Sequence, residues 1–279
     1  MEEWIYKSDS FGQSERWEVN FLWRHDNIYV MDNHLCAAWC WMQECIPGTP
    51  YSFIHIDAHD DLASNKEYNN ETLSSIEPDC SFQDYRSKSF IHPQAGKIPF
   101  FQFDNYIAIC QFLYPEWFKK SLFYTKQCSG FDYDYESCKL REENSCHICS
   151  LSEDNKLRDD LKITGHRCCD LLSIDEAIRH NLHNEQIIMN IDLDYFFNNE
   201  YALLDPRERD SSFTDDSIRT FSSFISQMIE EERIKVLTIA LSPECCFGWD
   251  KSLTILSLFA EGIAPLKESD IVDEISARL

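Results

Sequence analysis

The sequence has 279 residues, of which 43% are hydrophobic and 14% aromatic, and a formal net charge of −24. This length and composition predict one globular domain with a sizeable core, and exclude a disordered or collagen-like chain. The charge argues against nucleic acid and anionic membranes as partners, because phosphate contacts need lysine and arginine. It favours metal cations and cationic substrates, although a solvated acidic surface accounts for most of the excess.

The first ten residues, MEEWIYKSDS, contain no basic segment followed by an apolar one, so the sequence predicts no signal peptide. No apolar run approaches the roughly 20 residues that are needed to span a bilayer. We therefore expect a cytoplasmic protein. The sequence does not indicate the oligomeric state.

The first half of the chain contains two strong strand patterns. Residues 28–33 (IYVMDN) predict a strand, and Asn33 is a good N-cap for a helix that begins near His34. Residues 51–57 predict a second strand that is covered on both faces, because it is almost entirely apolar. Residues 62–100 predict loops with short helices, and residues 101–114 are apolar again.

The second half continues the alternation of strands and helices. Ser173 and Glu176 form a capping box that predicts a helix to about Leu182. Strands are predicted at 186–192 and 234–241, with an amphipathic helix at 214–231 between them. A last helix is predicted at 250–262, with Gly262 as its C-cap.

Strands that alternate with helices predict an α/β fold with three layers, α/β/α, in which a mostly parallel sheet has helices on both faces. We predict a single domain over residues 1–279, with a cysteine-rich excursion at about 125–160. The sequence has no internal repeat, no P-loop and no G-x-G-x-x-G, so it gives no support to a nucleotide cofactor.

The thirteen cysteines favour free thiols or metal ligands over disulfides in a cytosolic chain. Those in the apolar segment 34–45 are predicted to be core residues. A second group lies in the polar excursion and includes a C-x-x-C: Cys128, Cys138, Cys146 and Cys149. These four are candidate ligands of a structural Zn²⁺, but their spacing is irregular, and free thiols are the alternative.

Acidic and imidazole side chains follow each of the four predicted strands. They are His34, Asp57, His59, Asp61, Asp192, Asp194 and Glu244. Ligands bind at the carboxyl ends of strands in parallel sheets, so we expect these groups to meet. Crowded carboxylates repel one another unless cations or protons neutralise them. If Glu244 is not counted, the set has four carboxylates and two imidazoles. That number of ligands suits two ions that share bridging carboxylates, and the many oxygen ligands favour Mn²⁺ over Zn²⁺.

Each motif alone has a simpler explanation. A D-x-D occurs by chance, and a histidine at a helix N-terminus is usually a polar surface residue. An aspartate at a strand end, such as Asp192, often caps the following loop. The joint occurrence after four apolar strands is what favours a metal site.

The motifs D-A-H-x-D and D-x-D resemble those of the ureohydrolases, the arginase and agmatinase group of binuclear manganese enzymes. The series of motifs DNH…HIDAHDD…NIDLDYF…SPE is more similar to that of the peptide arginases. These enzymes hydrolyse arginine side chains in ribosomally made peptides to ornithine and urea. The resemblance covers His34 to about Trp249. It implies an arginase/deacetylase-like fold, two Mn²⁺ ions and an arginine-containing precursor peptide as the partner.

The resemblance also implies roles for individual residues. One ion is held by His34, Asp57, Asp61 and Asp192, and the other by Asp57, His59, Asp192 and Asp194. Asp61 accepts a hydrogen bond from the bridging hydroxide, which makes it catalytic. Glu244 is the catalytic and substrate-binding carboxylate that pairs with the guanidinium.

Three departures from the arginase pattern bear on the substrate. The segment Met31–His34 replaces G-G-D-H, and no D-P follows the D-x-D. Leu62-Ala63-Ser64 lacks the residues that hold the α-groups of a free amino acid. The departures are consistent with an arginine whose α-groups are in amide bonds. Asn105 is a candidate substrate contact; a polar turn between two buried segments is its alternative.

Three other functions remain open. The chain could be another ureohydrolase that acts on a small guanidine compound. A deacetylase-like amidohydrolase with one Zn²⁺ would leave Asp61 and Asp194 without a metal role. A non-catalytic peptide-binding module could retain the same acidic cleft.

Overall fold

The computed structural model describes residues 2–14, 17–62, 76–92, 96–118, 120–125, 163–166, 171–182, 185–197, 209 and 213–279. The predicted excursion lies almost entirely outside this part of the chain. All four candidate zinc ligands, Cys128, Cys138, Cys146 and Cys149, also lie outside it, so the zinc site stays a prediction.

The centre of the molecule is an eight-stranded sheet with the order β1-β2-β3-β10-β9-β4-β7-β8. A separate hairpin consists of β5 and β6. The described part of the chain contains ten strands: β1 (Glu2–Lys7), β2 (Phe21–His25), β3 (Ile28–Met31), β4 (Ser52–Asp57), β5 (Ser89–His92), β6 (Gly96–Pro99), β7 (Lys120–Thr125), β8 (Ile163–His166), β9 (Ile187–Asp192) and β10 (Ile234–Ala240).

All neighbouring strands from β3 to β8 are parallel, whereas β1 and β2 form an antiparallel edge. The chain leaves β4 toward β7 and leaves β9 toward β10, so the direction of winding reverses between β4 and β9. Such a switch point opens a crevice at the carboxyl ends of the strands. Asp57 and Asp192, the last residues of β4 and β9, lie at this crevice.

Helices cover both faces of the sheet. They are α1 (Ala37–Glu44), α2 (Phe82–Ser87), α3 (Tyr106–Leu113), α4 (Leu171–Asn181), α5 (Asp215–Glu230), α6 (Trp249–Gly262), α7 (Ala264–Lys267) and α8 (Ile271–Ser276), with short 3₁₀ turns at His34–Cys36, Pro115–Phe118 and Leu193–Phe196. In the described part of the chain, none of them is long and apolar enough to cross a membrane.

Strand periodicity divides the core into two layers. On β4, Phe53 packs in the core cluster with α1, α2 and α3, while Ile54 and Ile56 pack in the cluster with α4, α5 and α6. Every residue of β4 and β9 is buried, as expected for central parallel strands. The predicted fold class, a mostly parallel α/β sheet with helices on both faces, is confirmed.

The four strands predicted from the apolar runs are present, within one or two residues of their predicted ends. Asn33 caps the turn at His34, because its side chain accepts a hydrogen bond from the Leu35 amide. The other six strands, β1, β2, β5, β6, β7 and β8, were not predicted, and β5 and β6 lie in the segment 62–100 that was expected to form loops with short helices.

Two predicted helix boundaries were wrong. Helix α4 begins at Leu171, so Ser173 lies inside it and is not its N-cap. Leu171, Ile174 and Ile178 share one buried stripe, and this packing extends the helix backwards. Gly262 is the last residue of α6, and the C-cap is Ile263.

Gly262 is required by packing and not by a cap. A Cβ atom at this position would lie 1.9 Å from Ser222 Oγ and 2.8 Å from the backbone nitrogen of Ser223, both on α5. The absence of a side chain therefore lets α5 and α6 approach closely at this point.

Candidate metal centre

The six predicted metal ligands meet at the carboxyl end of the sheet. His34 follows β3, Asp57 ends β4, and Asp192 ends β9. Five of the six side chains are at most 5% exposed, and His59 is 30% exposed. The sequence therefore predicted which groups come together, because parallel strands bring their carboxyl ends to one edge.

Among the residues that the structure describes, two groups of three could each hold an ion. His34, Asp57 and Asp61 have one ligand atom each within 4.8 Å of one another, and so do Asp57, His59 and Asp194. Asp57 belongs to both groups, so the two positions are adjacent and share a carboxylate. This is the arrangement expected of a two-ion site with a bridging ligand.

Asp192, the last residue of β9, was predicted to bridge both ions; it belongs to neither of these groups but contacts His34, a member of the first. Its Oδ2 contacts His34 Nδ1 and accepts a hydrogen bond from Ser242 Oγ at 2.5 Å. Its Oδ1 accepts the Asp194 amide at 3.0 Å, which caps the turn at Leu193–Phe196. Asp192 thus caps the following turn, which is the alternative weighed for it, and also contacts a predicted metal ligand.

Three buried carboxylate oxygens in the cluster make no hydrogen bond with any described residue: Asp57 Oδ2, Asp61 Oδ2 and Asp194 Oδ2. His59 Nδ1 lies 3.0 Å from the last of these and pairs with it when the imidazole is protonated. A buried carboxylate oxygen without a partner is costly. Cations would satisfy all three, so these residues fit a metal site.

The pKa values of the clustered side chains also fit a metal site. Burial and then the neighbouring carboxylates raise the pKa of Asp57 well above its usual range. Burial also raises the pKa of Asp61 to about 6, against the opposing effect of His34. Burial alone would lower the pKa of His34, but Asp61 and Asp192 outweigh it and raise that pKa to about 9. With all four carboxylates ionised, the cluster would therefore hold more negative charge than its two imidazoles neutralise, and protons or cations must make up the difference.

Ser242 is a site residue that the sequence did not reveal. Its backbone has φ 41°, in the left-handed region that non-glycine residues rarely adopt, while its hydroxyl donates to Asp192. Its amide donates to Asp32 O at 3.0 Å, which ties this loop to the end of β3. Such strain persists where surrounding contacts hold it, and it is common at functional sites.

Glu244 is exposed in the loop after β10, where its carboxylate accepts a hydrogen bond from the backbone amide of Ser14. Its neighbour Cys245 has a raised pKa, mainly from burial and then from the charges of Asp194 and Asp192. The loop therefore lies beside the ligand cluster. The role of Glu244 in substrate binding stays a prediction.

Asn105 is buried at the start of α3. Its Oδ1 accepts the Gln102 amide at 2.8 Å, and its Nδ2 donates to Phe100 O at 3.2 Å. These bonds match the alternative considered for it, a polar turn between two buried segments. Its contact with substrate stays a prediction.

No protein-family model and no curated protein matches this chain. Among solved structures, the chain is similar to the arginase of Helicobacter pylori, with 10% identity and a TM-score of 0.40 over 87% of this chain and 71% of that one. It is also similar to the Entamoeba histolytica arginase solved in complex with L-ornithine, with 14% identity and a TM-score of 0.40 over 83% and 69% of the two chains. Likenesses this distant do not assign an activity.

Proposed function

We propose that this chain is a manganese-dependent hydrolase of two-ion type that converts arginine side chains in a peptide to ornithine and urea. The observation that carries the proposal is the pair of ligand groups that share Asp57, with three buried carboxylate oxygens that make no hydrogen bond with any described residue. The resemblance of D-A-H-x-D, D-x-D and SPE to the peptide arginases supplies the substrate.

The predicted ligands are His34, Asp57, His59, Asp61, Asp192 and Asp194. Two bound divalent ions would supply a water molecule of lowered pKa as the nucleophile. Asp61 Oδ2 makes no hydrogen bond with any described residue and lies 3.7 Å from His34 Nε2; it would accept a hydrogen bond from that water. Ser242 and the Asp194 amide each bind one oxygen of Asp192 and hold its orientation.

Glu244 is the group that would bind the substrate cation. A carboxylate and a guanidinium form a planar bidentate pair, which orients the guanidinium carbon and stabilises its charge during attack. Water adds to that carbon, the bond from carbon to the side-chain nitrogen breaks, and this nitrogen takes a proton. The products are urea and ornithine within the peptide.

The residue after the D-A-H-x-D motif supports a peptide over free arginine. Leu62 is apolar and 6% exposed, so its side chain offers no partner for an α-amino or α-carboxylate group. In a peptide these groups are neutral amides and need no such partner.

The test is incubation of the Mn²⁺-loaded protein with an arginine-containing peptide, followed by mass spectrometry and a urea assay. We expect conversion of arginine to ornithine in the peptide and little or none with free arginine. Turnover of only a small guanidine compound would replace the proposal with a ureohydrolase of small molecules. One tightly bound Zn²⁺ at full activity would support the deacetylase-like alternative. Metal binding without any turnover would support the alternative of a non-catalytic peptide-binding module.

A Glu244→Gln variant tests the substrate clamp. The glutamine amide is neutral and cannot form an ion pair with a guanidinium. We therefore expect kcat/KM to fall by roughly 100-fold or more while the metal content is unchanged. Asp250→Asn, which removes a nearby exposed charge at the start of α6, is the matched control and should retain activity. Wild-type turnover in Glu244→Gln would show that another group binds the guanidinium.

A further inference from the structure

A row of polar side chains crosses the three central strands beneath the ligand cluster. His55, Asn190 and Thr238 lie opposite one another in β4, β9 and β10. Each lies two residues before the end of its strand, so its side chain is one layer below the strand-end residues on the same face. All three are at most 1% exposed. Buried polar groups in central strands are costly unless they are hydrogen-bonded.

The row is joined by hydrogen bonds from one end to the other. Trp41 Nε1 donates to Thr238 Oγ1 at 3.3 Å, and this hydroxyl donates to Asn190 Oδ1 at 2.7 Å. Asn190 Nδ2 lies 2.9 Å from His55 Nδ1 and 2.9 Å from the Tyr106 hydroxyl. At the far end, His55 Nε2 lies 3.0 Å from the carbonyl oxygen of His59.

The direction of these bonds fixes the tautomer of His55. The indole of Trp41 can only donate, so the Thr238 hydroxyl accepts it. That hydroxyl has two acceptors in reach, and Asn190 Oδ1 at 2.7 Å, which is nearer than Met189 O at 3.4 Å, takes its proton. The amide nitrogen of Asn190 then donates to His55 Nδ1. The His55 proton is therefore on Nε2, where it meets the His59 carbonyl, which can only accept.

His59 is the ligand that most needs such support. It is the most exposed of the six predicted ligands and lies in the loop after β4. Its backbone amide donates to Asp57 Oδ1 at 2.6 Å, and its backbone carbonyl is within hydrogen-bond distance of His55 Nε2. Hydrogen bonds therefore hold both the N–H and the C=O group of this residue. Its ring then faces Asp194 Oδ2.

We propose that His55 is a positioning residue for the ion held by Asp57, His59 and Asp194, and that Asn190 and Thr238 act by fixing its tautomer. Partners behind metal ligands orient those ligands, and their removal typically lowers metal affinity by roughly 10–100-fold. The inference rests on the proposed function only for the presence of two ions, and not for the substrate.

The test uses Mn²⁺ alone as the probe. A His55→Phe variant keeps a ring of similar shape but removes both nitrogens. We expect the affinity for the ion at Asp57, His59 and Asp194 to fall by about 10–100-fold, with a much smaller change in the affinity for the other ion. The electron paramagnetic resonance spectrum should change from that of a coupled Mn²⁺ pair to that of single ions. His55→Gln, which keeps an N–H donor near the His59 carbonyl, should restore most of the affinity for the ion at Asp57, His59 and Asp194.

Ile54→Ala is the matched control, because it destabilises the same strand on the opposite face and should leave two coupled ions. Thr238→Val removes the row's hydroxyl at nearly constant volume and should weaken the same ion if His55→Phe does not fold. Two coupled ions at wild-type affinity in a folded His55→Phe or Thr238→Val protein would overturn the inference. Equal loss of both ions, as in a generally destabilised protein, would also overturn it.

These outcomes are separate from those for the proposed function. If the wild-type protein binds two ions but does not change arginine peptides, the proposed substrate is wrong. The role of His55 is then still decided by the Mn²⁺ affinities of its variants. A wild-type protein that binds fewer than two ions would refute both.

Discussion

At the scale of single residues, the site contains buried carboxylate oxygens that make no hydrogen bond with any described residue. Asp57 is completely buried, shared by both ligand groups, and has one oxygen without a hydrogen bond to any described residue. In a protein without function, such a residue would be expected to be replaced by an apolar one. Its presence here is explained if cations complete the site.

We therefore predict that Asp57→Asn separates stability from metal binding. The raised pKa of Asp57 favours its neutral form in the metal-free protein, and asparagine resembles that form. The unfolding free energy without metal should thus change by less than about 1 kcal/mol, whereas the increase caused by Mn²⁺ should be lost. Thermal unfolding with and without Mn²⁺ measures both quantities.

Asp60→Asn is the control within the same motif, because Asp60 belongs to neither ligand group. Its stabilisation by Mn²⁺ should equal that of the wild type. Full stabilisation of Asp57→Asn by Mn²⁺ would contradict the assignment of Asp57 as the shared ligand.

At the scale of elements, the close approach of α5 and α6 depends on Gly262. We predict that Gly262→Ala destabilises the protein by about 1–3 kcal/mol, because the new Cβ would overlap Ser222 and the α5 backbone. The backbone nitrogen of Ser223 cannot move without shifting the helix. Denaturant unfolding gives the change in free energy.

Gly12→Ala is the matched control, because no atom lies within 4 Å of a Cβ at Gly12 and its φ is not left-handed. It should change stability by no more than about 0.5 kcal/mol. An equal effect of the two substitutions would show that Gly262 matters through helix propensity or chain entropy and not through the contact with Ser222.

At the scale of the whole molecule, metal binding and net charge are linked. The chain carries a formal charge of −24, and the ligand cluster concentrates part of it at one sheet edge. Self-repulsion of this kind destabilises the compact state. Divalent ions that bind the folded protein relieve it at the cluster and stabilise the fold by mass action.

We predict that Mn²⁺ at about 100 times its dissociation constant raises the unfolding free energy by about 2.7 kcal/mol per ion, and that a chelator reverses the effect. Potassium chloride at equal ionic strength is the control, because it screens the general charge without binding the site. Differential scanning calorimetry distinguishes the two. An equal shift with potassium would mean that screening, and not a metal site, stabilises the protein.

Local sequence patterns were sufficient for the central strands and for the ligand residues. An apolar run such as SFIHI predicts a buried strand by itself, and a strand in a parallel sheet delivers its carboxyl end to a known edge. The edge strands β1 and β2 were missed because partly polar segments carry no such run. The start of α4 was misplaced because the packing of Leu171 outweighed a local capping signal.

The sequence by itself therefore determined the fold class and the residues that meet at the sheet edge, since both follow from local periodicity and strand direction. The tertiary structure decided the contacts between distant segments. Strand order places β9 between β4 and β10, and this alone brings Asn190 beside His55 and Thr238, which are 135 and 48 residues away. It also places Ser242 on Asp192 and Gly262 on Ser222. Such contacts depend on how separate elements pack, which no local pattern encodes.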